Sequence, residues 1–303
     1  MSRGYRTSVF RSTALAALAA SFVAPAMAAP PRSMGELLEG SAPSDWRTPD
    51  PQDTLYLDLE SGRVVIELAP GFAPHHVAAI RALARSHFYD GQKITRVQDN
   101  FVVQWGDPAA KGVKVPTLAA EFARATTPEL PFTALPDRDG YAPVVGFTHG
   151  LPAARDPADR TTWLTHCYGT LAVGRDVAAD SGSGAELYVV IGHAPRQLDR
   201  NATVAGRVLS GMERLAALPR GTGAMGFYEQ ATEGATIRSL RVAADVPATD
   251  RTALEVLRTD TPLFGQLVEL RRNRSDEWYK RPAGYIDICS VPLPVRMAER
   301  GAN

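Results

Sequence analysis

The sequence predicts a mainly β fold, and three stretches carry that expectation. Residues Thr54 to Leu68 read as a hairpin, Ile94 to Trp105 as a pair of short strands, and Gly169 to Val173 as the same pattern resumed after a long irregular interval. Each is rich in leucine, β-branched or aromatic side chains and is bounded by residues that favour turns. Between the first two lies one amphipathic helical run, Pro74 to Ser86.

Taken in order, the chain opens with Arg3, Arg6 and Arg11, an uncharged run from Thr13 to Val23, and Ala26-Met27-Ala28. A basic start, a short apolar run and a small-x-small site predict a secretory signal peptide at residues 1–28, cleaved near Ala28. The apolar run is shorter than the roughly 20 residues a membrane-spanning helix needs. No other stretch is long and apolar enough, so no membrane span is expected in the mature protein. The Ala- and Arg-rich, Lys-poor usage points to a bacterial genome of high GC content, and hence to a periplasmic or secreted protein. Residues 29–53 are Pro-rich and polar and read as a linker with little structure of its own.

Lys plus Arg and Asp plus Glu both number 33, giving a formal charge of zero. Without a basic patch or interleaved aromatics, nucleic acid is excluded as a partner. Cys167 and Cys289 would meet an oxidising compartment, where a disulfide persists. A bond between them and two buried free thiols stay equally open, because sequence does not set the distance between their Cα atoms. The histidines are scattered without helical H-x-x-x-H spacing, so no metal site is expected, and nothing calls for a cofactor.

In the hairpin, Leu55 to Leu59 and Val64 to Leu68 flank a Ser61-Gly62 turn. The helix from Pro74 carries Val77, Ile80, Ala84 and Phe88 on its buried stripe, which leaves His75, His76 and Arg81 for the solvated side. Pro74 suits its first turn. In the next pair of strands Gln98-Asp99-Asn100 makes the turn. Alternation puts Val102 and Gln104 on one face and Val103 and Trp105 on the other. Gln104, an apolar wall and Arg96 on one face would suit an extended peptide. After Asp107 the chain is irregular, and about 110–165 reads as an insertion, richest in Pro, Asp and Arg between Ala125 and Trp163. The strand pattern resumes at Gly169–Val173. Beyond residue 245, Leu254–Leu257 and Leu263–Leu270 have helical spacing, and Ile286 to Val295 reads as a Pro-broken strand. Residues 246–303 would form an extension packed on the preceding domain.

The run Arg96-Val97-x-x-x-Phe101-Val102-Val103-Gln104-Trp105-Gly106-Asp107 resembles the R-V-x-x-x-F-M-x-Q-G-G-D signature of cyclophilin-type peptidyl-prolyl cis-trans isomerases. Phe88-Tyr89-Asp90-Gly91 before it is similar to the same family. So are Gly169-x-Leu171-x-Val173, Gly184-Ala185-Glu186-Leu187-Tyr188, Leu198-Asp199 and Gly211-Met212 after it, all in the family's order. The resemblance covers residues 54–245, interrupted by the insertion. It implies a closed antiparallel eight-stranded barrel capped by two helices, and an enzyme without cofactor that accelerates rotation about X-Pro bonds in exported polypeptides.

Matching the motifs residue by residue implies Arg96 as the catalytic donor. Phe101, Val102, Gln104, Gly174, Tyr188 and Leu198 would bind substrate. Taken alone, Arg96 is as readily a surface ion-pair partner, and Phe101 and Tyr188 are as readily core. Several positions depart from the family pattern. Val102 replaces its methionine, Glu186 a glutamine, Gln197 a tryptophan, Ala202 a histidine, and Gly174-Arg175 an alanine-asparagine pair. These leave a second reading open, a non-catalytic proline-peptide-binding chaperone on the same fold.

Overall fold

The computed structural model describes residues 1, 4, 33–274 and 278–298. All described helices and strands belong to one compact unit, residues 32–303. The expected signal peptide lies outside the described residues.

This unit opens with α1 (Met34–Glu39) and β1 (Trp46–Arg47), followed by β2 (Thr54–Leu59), β3 (Gly62–Leu68) and α2 (Pro74–Arg85). Next come β4 (Ile94–Val97) and β5 (Val102–Trp105), then the short strands β6 (Arg124–Ala125), β7 (Thr133–Ala134), β8 (Val144–Thr148), β9 (Leu151–Asp156) and β10 (Thr161–Leu164). The series ends with β11 (Thr170–Val173), β12 (Leu187–Val190), β13 (Val204–Ser210), α3 (Met212–Ala216), β14 (Ile237–Val242), β15 (Leu254–Leu257), α4 (Pro262–Arg272) and β16 (Val295–Met297).

Eight antiparallel strands run in the order β14-β2-β3-β13-β11-β12-β5-β4. The two edges approach closure. Gly91 and Ile94 donate to Ile237 and Ala235, Ile237 donates back to Gln92, and Lys93 bridges Thr236. With α2 and α3 the result is the nearly closed, helix-capped barrel expected. Alternation along the strands sends Leu55, Leu57, Val64, Ile66, Val103, Trp105, Leu171 and Val189 into one core, together with Val77, Ile80 and Ala84 of α2. Burying each such large side chain contributes about 1.5–3 kcal/mol relative to exposure. Gly106 ends β5 at φ +92°, and a Cβ there would lie 1.9 Å from the Ala185 carbonyl oxygen, so the Gly of the β5 motif is required both conformationally and sterically.

Several local expectations are corrected. The supposed linker is folded from Met34 onward. Ser33 caps α1 and exchanges bonds with Glu36, while Trp46 and Arg47 pair with Leu257 and Val256 of β15. Leu254–Leu257 is that strand and not a helix, with β16 on its other side; the stretch Ile286 to Val295, expected to be a Pro-broken strand, instead holds a 3-10 turn at Ile288–Ser290 and reaches strand only at its last residue, where β16 begins. The interval 125–163 is not irregular: it belongs to a five-stranded sheet, β6-β10-β9-β8-β7. His76 is buried, because Glu121 folds over the start of α2 and accepts hydrogen bonds from the His75 and His76 amides, at 3.0 Å each, and from the His76 ring.

These pieces build a second core. Leu37 and Trp46 meet Val145, Phe147 and Trp163 of the inserted sheet and Leu257, Phe264, Leu267, Ile286 and Ile288 of the tail. The tail also reaches the barrel, where Leu254 and Val256 pack on Tyr56, Val65 and Leu209. Cys167, just before β11, is disulfide-bonded to Cys289 of the tail.

Candidate active site

β5 pairs with β4 on one side and β12 on the other, which sets Arg96, Gln104 and Tyr188 in one row across three strands. Val103 and Trp105 turn into the barrel core, while Val102 and Gln104 face outward. That outward face is the floor of a cleft of about 290 Å³. Arg96, Phe101, Val102, Gln104, Gly174, Tyr188 and Leu198 all line it. The structure thus brings every site residue expected from sequence into one place. Ala202, where the family pattern has a histidine, lines the same cleft with Val173, Arg175 and Asn201. The last three were not anticipated as lining residues.

Arg96 is held on three sides. Its Nε donates to the Met225 carbonyl oxygen at 2.7 Å, Nη1 to Gln104 Oε1 at 3.1 Å, and Nη2 to Gln98 Oε1. These bonds leave further N–H groups on both Nη atoms. The rings of Phe101 and Phe227 lie 5.5 and 5.0 Å from its guanidinium carbon. Burial lowers the guanidinium's pKa from its ordinary value, while the charge of Glu186 acts to raise it; an arginine remains fully protonated throughout the working range.

Gln104 relays between charges: its Oε1 accepts from Arg96 and its Nε2 donates to Glu186 Oε1. Burial pushes the Glu186 carboxyl above its ordinary value, against the opposing hydrogen bond from Gln104. A Cβ on Gly174 would lie 2.8 Å from Glu186 Cγ, so the small residue at 174 makes room for the glutamate at 186.

Behind the cleft runs a buried polar chain that local sequence patterns did not reveal. The Tyr188 hydroxyl is 3.0 Å from His166 Nε2, and His166 Nδ1 is 3.1 Å from Asp199 Oδ1. A carboxylate only accepts, so Nδ1 carries the ring proton facing it, while Nε2 meets the Tyr188 hydroxyl. Burial pushes the Tyr188 phenol far up, which keeps it a donor. Asp199 Oδ2 accepts from Arg196 Nε at 2.6 Å, and Arg196 forks onto Asp139 of the insertion at 2.8 and 3.0 Å. Burial alone would raise Asp199, but His166 and Arg196 outweigh it and hold the carboxyl below the usual carboxylate range. The chain fixes the Tyr188 ring against the cleft and ties that wall to the inserted sheet.

Chemically, the cleft offers an apolar bowl with a fixed cation at its rim. Among the described residues no group of three or more His, Cys, Asp or Glu side chains could hold a metal ion, and no helix is long and apolar enough to cross a membrane.

Comparison with known proteins agrees with this architecture. Residues 54–242 match the family model for cyclophilin type peptidyl-prolyl cis-trans isomerases. A probable peptidyl-prolyl cis-trans isomerase of Brucella suis is 28% identical over 175 residues, which is 57% of this chain and 74% of that one. The human peptidyl-prolyl cis-trans isomerase-like 1 is 32% identical over 92 residues, covering 30% of this chain and 53% of that one. The crystal structure of cyclophilin AquaCyp293 from Hirschia baltica superposes with a TM-score of 0.70 at 27% identity, covering 88% of this chain and 99% of that one. The barrel, its ordered motifs and the matched family model together establish that the chain belongs to the cyclophilin-type peptidyl-prolyl cis-trans isomerase family.

Proposed function

We propose that this protein is an active peptidyl-prolyl isomerase that works on exported polypeptides in the periplasm or outside the cell. The observation that carries the reading is Arg96, anchored through three hydrogen bonds at the rim of an apolar cleft. Rotation about a peptide bond faces a barrier of about 18–20 kcal/mol because twisting breaks resonance. Uncatalysed X-Pro exchange takes tens to hundreds of seconds, slow enough to limit folding. As the bond twists, the imide nitrogen loses its conjugation and becomes an acceptor. A fixed N–H donor from Arg96 then favours the twisted state over both planar ones, which is the differential binding catalysis requires. Phe101, Val102, Tyr188 and Leu198 hold the proline ring, Gln104 positions the peptide backbone, and Gly174 borders it on the cleft wall. No cofactor takes part in such a step.

One feature supports the rival reading of a proline-peptide-binding chaperone. Each end of the Gln104 amide already holds one partner, Arg96 and Glu186, so only its second N–H and its second lone pair remain for a substrate. Exchange spectroscopy on a short X-Pro peptide with the purified protein separates the two. Accelerated cis/trans exchange supports the isomerase; saturable peptide binding without acceleration refutes it and leaves the chaperone. Cell fractionation tests the export proposal, with the protein expected in the periplasm or medium and starting near Ala29; retention of the uncut chain in the cytoplasm would overturn it.

A further inference from the structure

Next to the cleft, at Arg96, the loop between α3 and β14 presents two large apolar side chains to solvent. Met225 is 67% exposed and Phe227 is 37% exposed. Single exposed apolar residues are ordinary on a protein surface. Here both belong to one short loop and both are fixed to the arginine at the cleft rim. The Met225 carbonyl oxygen accepts from Arg96 Nε at 2.7 Å, and the Phe227 ring lies 5.0 Å from the guanidinium carbon. Phe101, which lines the cleft, lies 5.5 Å from the same carbon. One ring belongs to the cleft and the other to the loop, so the guanidinium joins the two apolar surfaces.

The loop is held against the edge of the barrel. Gly221 donates to the Val97 carbonyl oxygen at 2.9 Å and Tyr228 to that of Thr95 at 3.1 Å, while Phe227 pairs with Arg96 in an isolated antiparallel bridge. Gly226, at φ +77°, lies so close to the Gln98 turn that a Cβ would come within 2.5 Å of Gln98 Cα. Met225 itself sits at φ +53°, a left-handed conformation uncommon for a residue other than glycine. A backbone fixed in this way holds Met225 and Phe227 in place without the ordering cost that a mobile loop pays on binding.

Resting on the isomerase reading of the cleft, we propose that Met225 and Phe227 form a substrate subsite for an apolar side chain close to the proline. The preferred substrates are then unfolded segments that carry a leucine-like residue one or two positions from the X-Pro bond. An N–H of Arg96 meets the imide nitrogen at about 3 Å, and an extended chain covers about 3.3–3.6 Å per residue. With the Phe227 ring 5.0 Å from the guanidinium carbon, a side chain one or two residues from the proline reaches it. The phenylalanine ring supplies broad apolar area, and the flexible thioether of the methionine adapts to side chains of different shape. The subsite therefore selects for apolar character more than for one residue type.

The test is X-Pro exchange with short alanine-based peptides in which leucine or serine stands one or two positions before or after the proline. Both kcat/KM and peptide affinity are measured on the same samples. The parent is expected to favour leucine over serine by about fivefold at one of these positions, the effect of partly burying one such side chain. In Met225→Asn, where asparagine tolerates the left-handed backbone, and in Phe227→Ala, that ratio should fall towards one. The ratio within each variant cancels any change at Arg96 that is common to both peptides, and either variant serves if the other does not fold. Equal treatment of leucine and serine at every position by the parent overturns the subsite, as does a preference that survives in the folded variants. If no peptide is accelerated, the isomerase reading fails, and the leucine-to-serine affinity ratio decides the subsite by the same criteria.

Discussion

Replacing both Cys167 and Cys289 by alanine removes the one covalent tie between the barrel and the tail among the described residues. The two lie 122 residues apart in sequence. Closing a loop of that length in the unfolded chain costs about 5 kcal/mol by the chain-entropy relation, and the bond removes that freedom before folding begins. The native fold is expected to survive its loss. Phe264, Leu267, Ile286 and Ile288 keep the tail in the second core, and Leu254 and Val256 keep it against the barrel. The stabilisation therefore acts through the unfolded state, and the double variant should lose about 3–5 kcal/mol with its circular dichroism unchanged. Equilibrium unfolding in urea, followed by tryptophan fluorescence and circular dichroism together, measures the difference. The denaturant slope should rise slightly, because an uncrosslinked chain exposes more surface. A double variant within about 1 kcal/mol of the parent would refute the loop-closure reasoning.

Three further outcomes follow from the buried polar chain. Asp139→Ala leaves Arg196, itself only 4% exposed, paired with Asp199 but without its fork partner and should cost about 1.5–3 kcal/mol in urea unfolding. Tyr188→Phe keeps the ring in the cleft but strands His166 Nε2, for a loss of about 1–2 kcal/mol with X-Pro exchange nearly unchanged. Asp199 is held below its ordinary value in the fold, so the unfolded chain takes up its proton at higher pH than the native state. Its stabilisation is complete above the unfolded value of about 3.9 and is lost as pH falls through the depressed folded value. Asp199→Asn should accordingly flatten the acid limb of a stability-versus-pH curve; a slope equal to the parent's would contradict the assignment.

What the sequence made legible follows the range of the forces involved. Strand alternation separated Val102 and Gln104 from Val103 and Trp105, because side-chain direction along a strand is a local property. The family motifs located Gly174, Tyr188 and Leu198, whose spacing is tied to the barrel's strand order. Non-local pairing was hidden. Trp46–Arg47 is a two-residue strand that exists only because Leu257 and Val256, some two hundred positions later, complete it. The same distant pairing turns Leu254–Leu257 into a strand although its leucine spacing fits a helix equally well. The short strands of the insertion were masked by the Pro, Asp and Arg between them. His76 was misplaced because nothing local announces that Glu121 will cover it. The chain from Tyr188 to Asp139 joins residues 139, 166 and 188 to the neighbouring pair 196 and 199 from four distant segments, and only the folded structure assembles it.

The most direct test of the central claim is Arg96→Ala in the X-Pro exchange experiment, with peptide affinity measured on the same sample. Arg96 is placed to act on the twisted bond, so exchange should slow by about 10²–10³-fold, the usual effect of removing one transition-state donor, while peptide binding weakens far less. Exchange within about tenfold of the parent would contradict the account and move the catalytic donor elsewhere in the cleft.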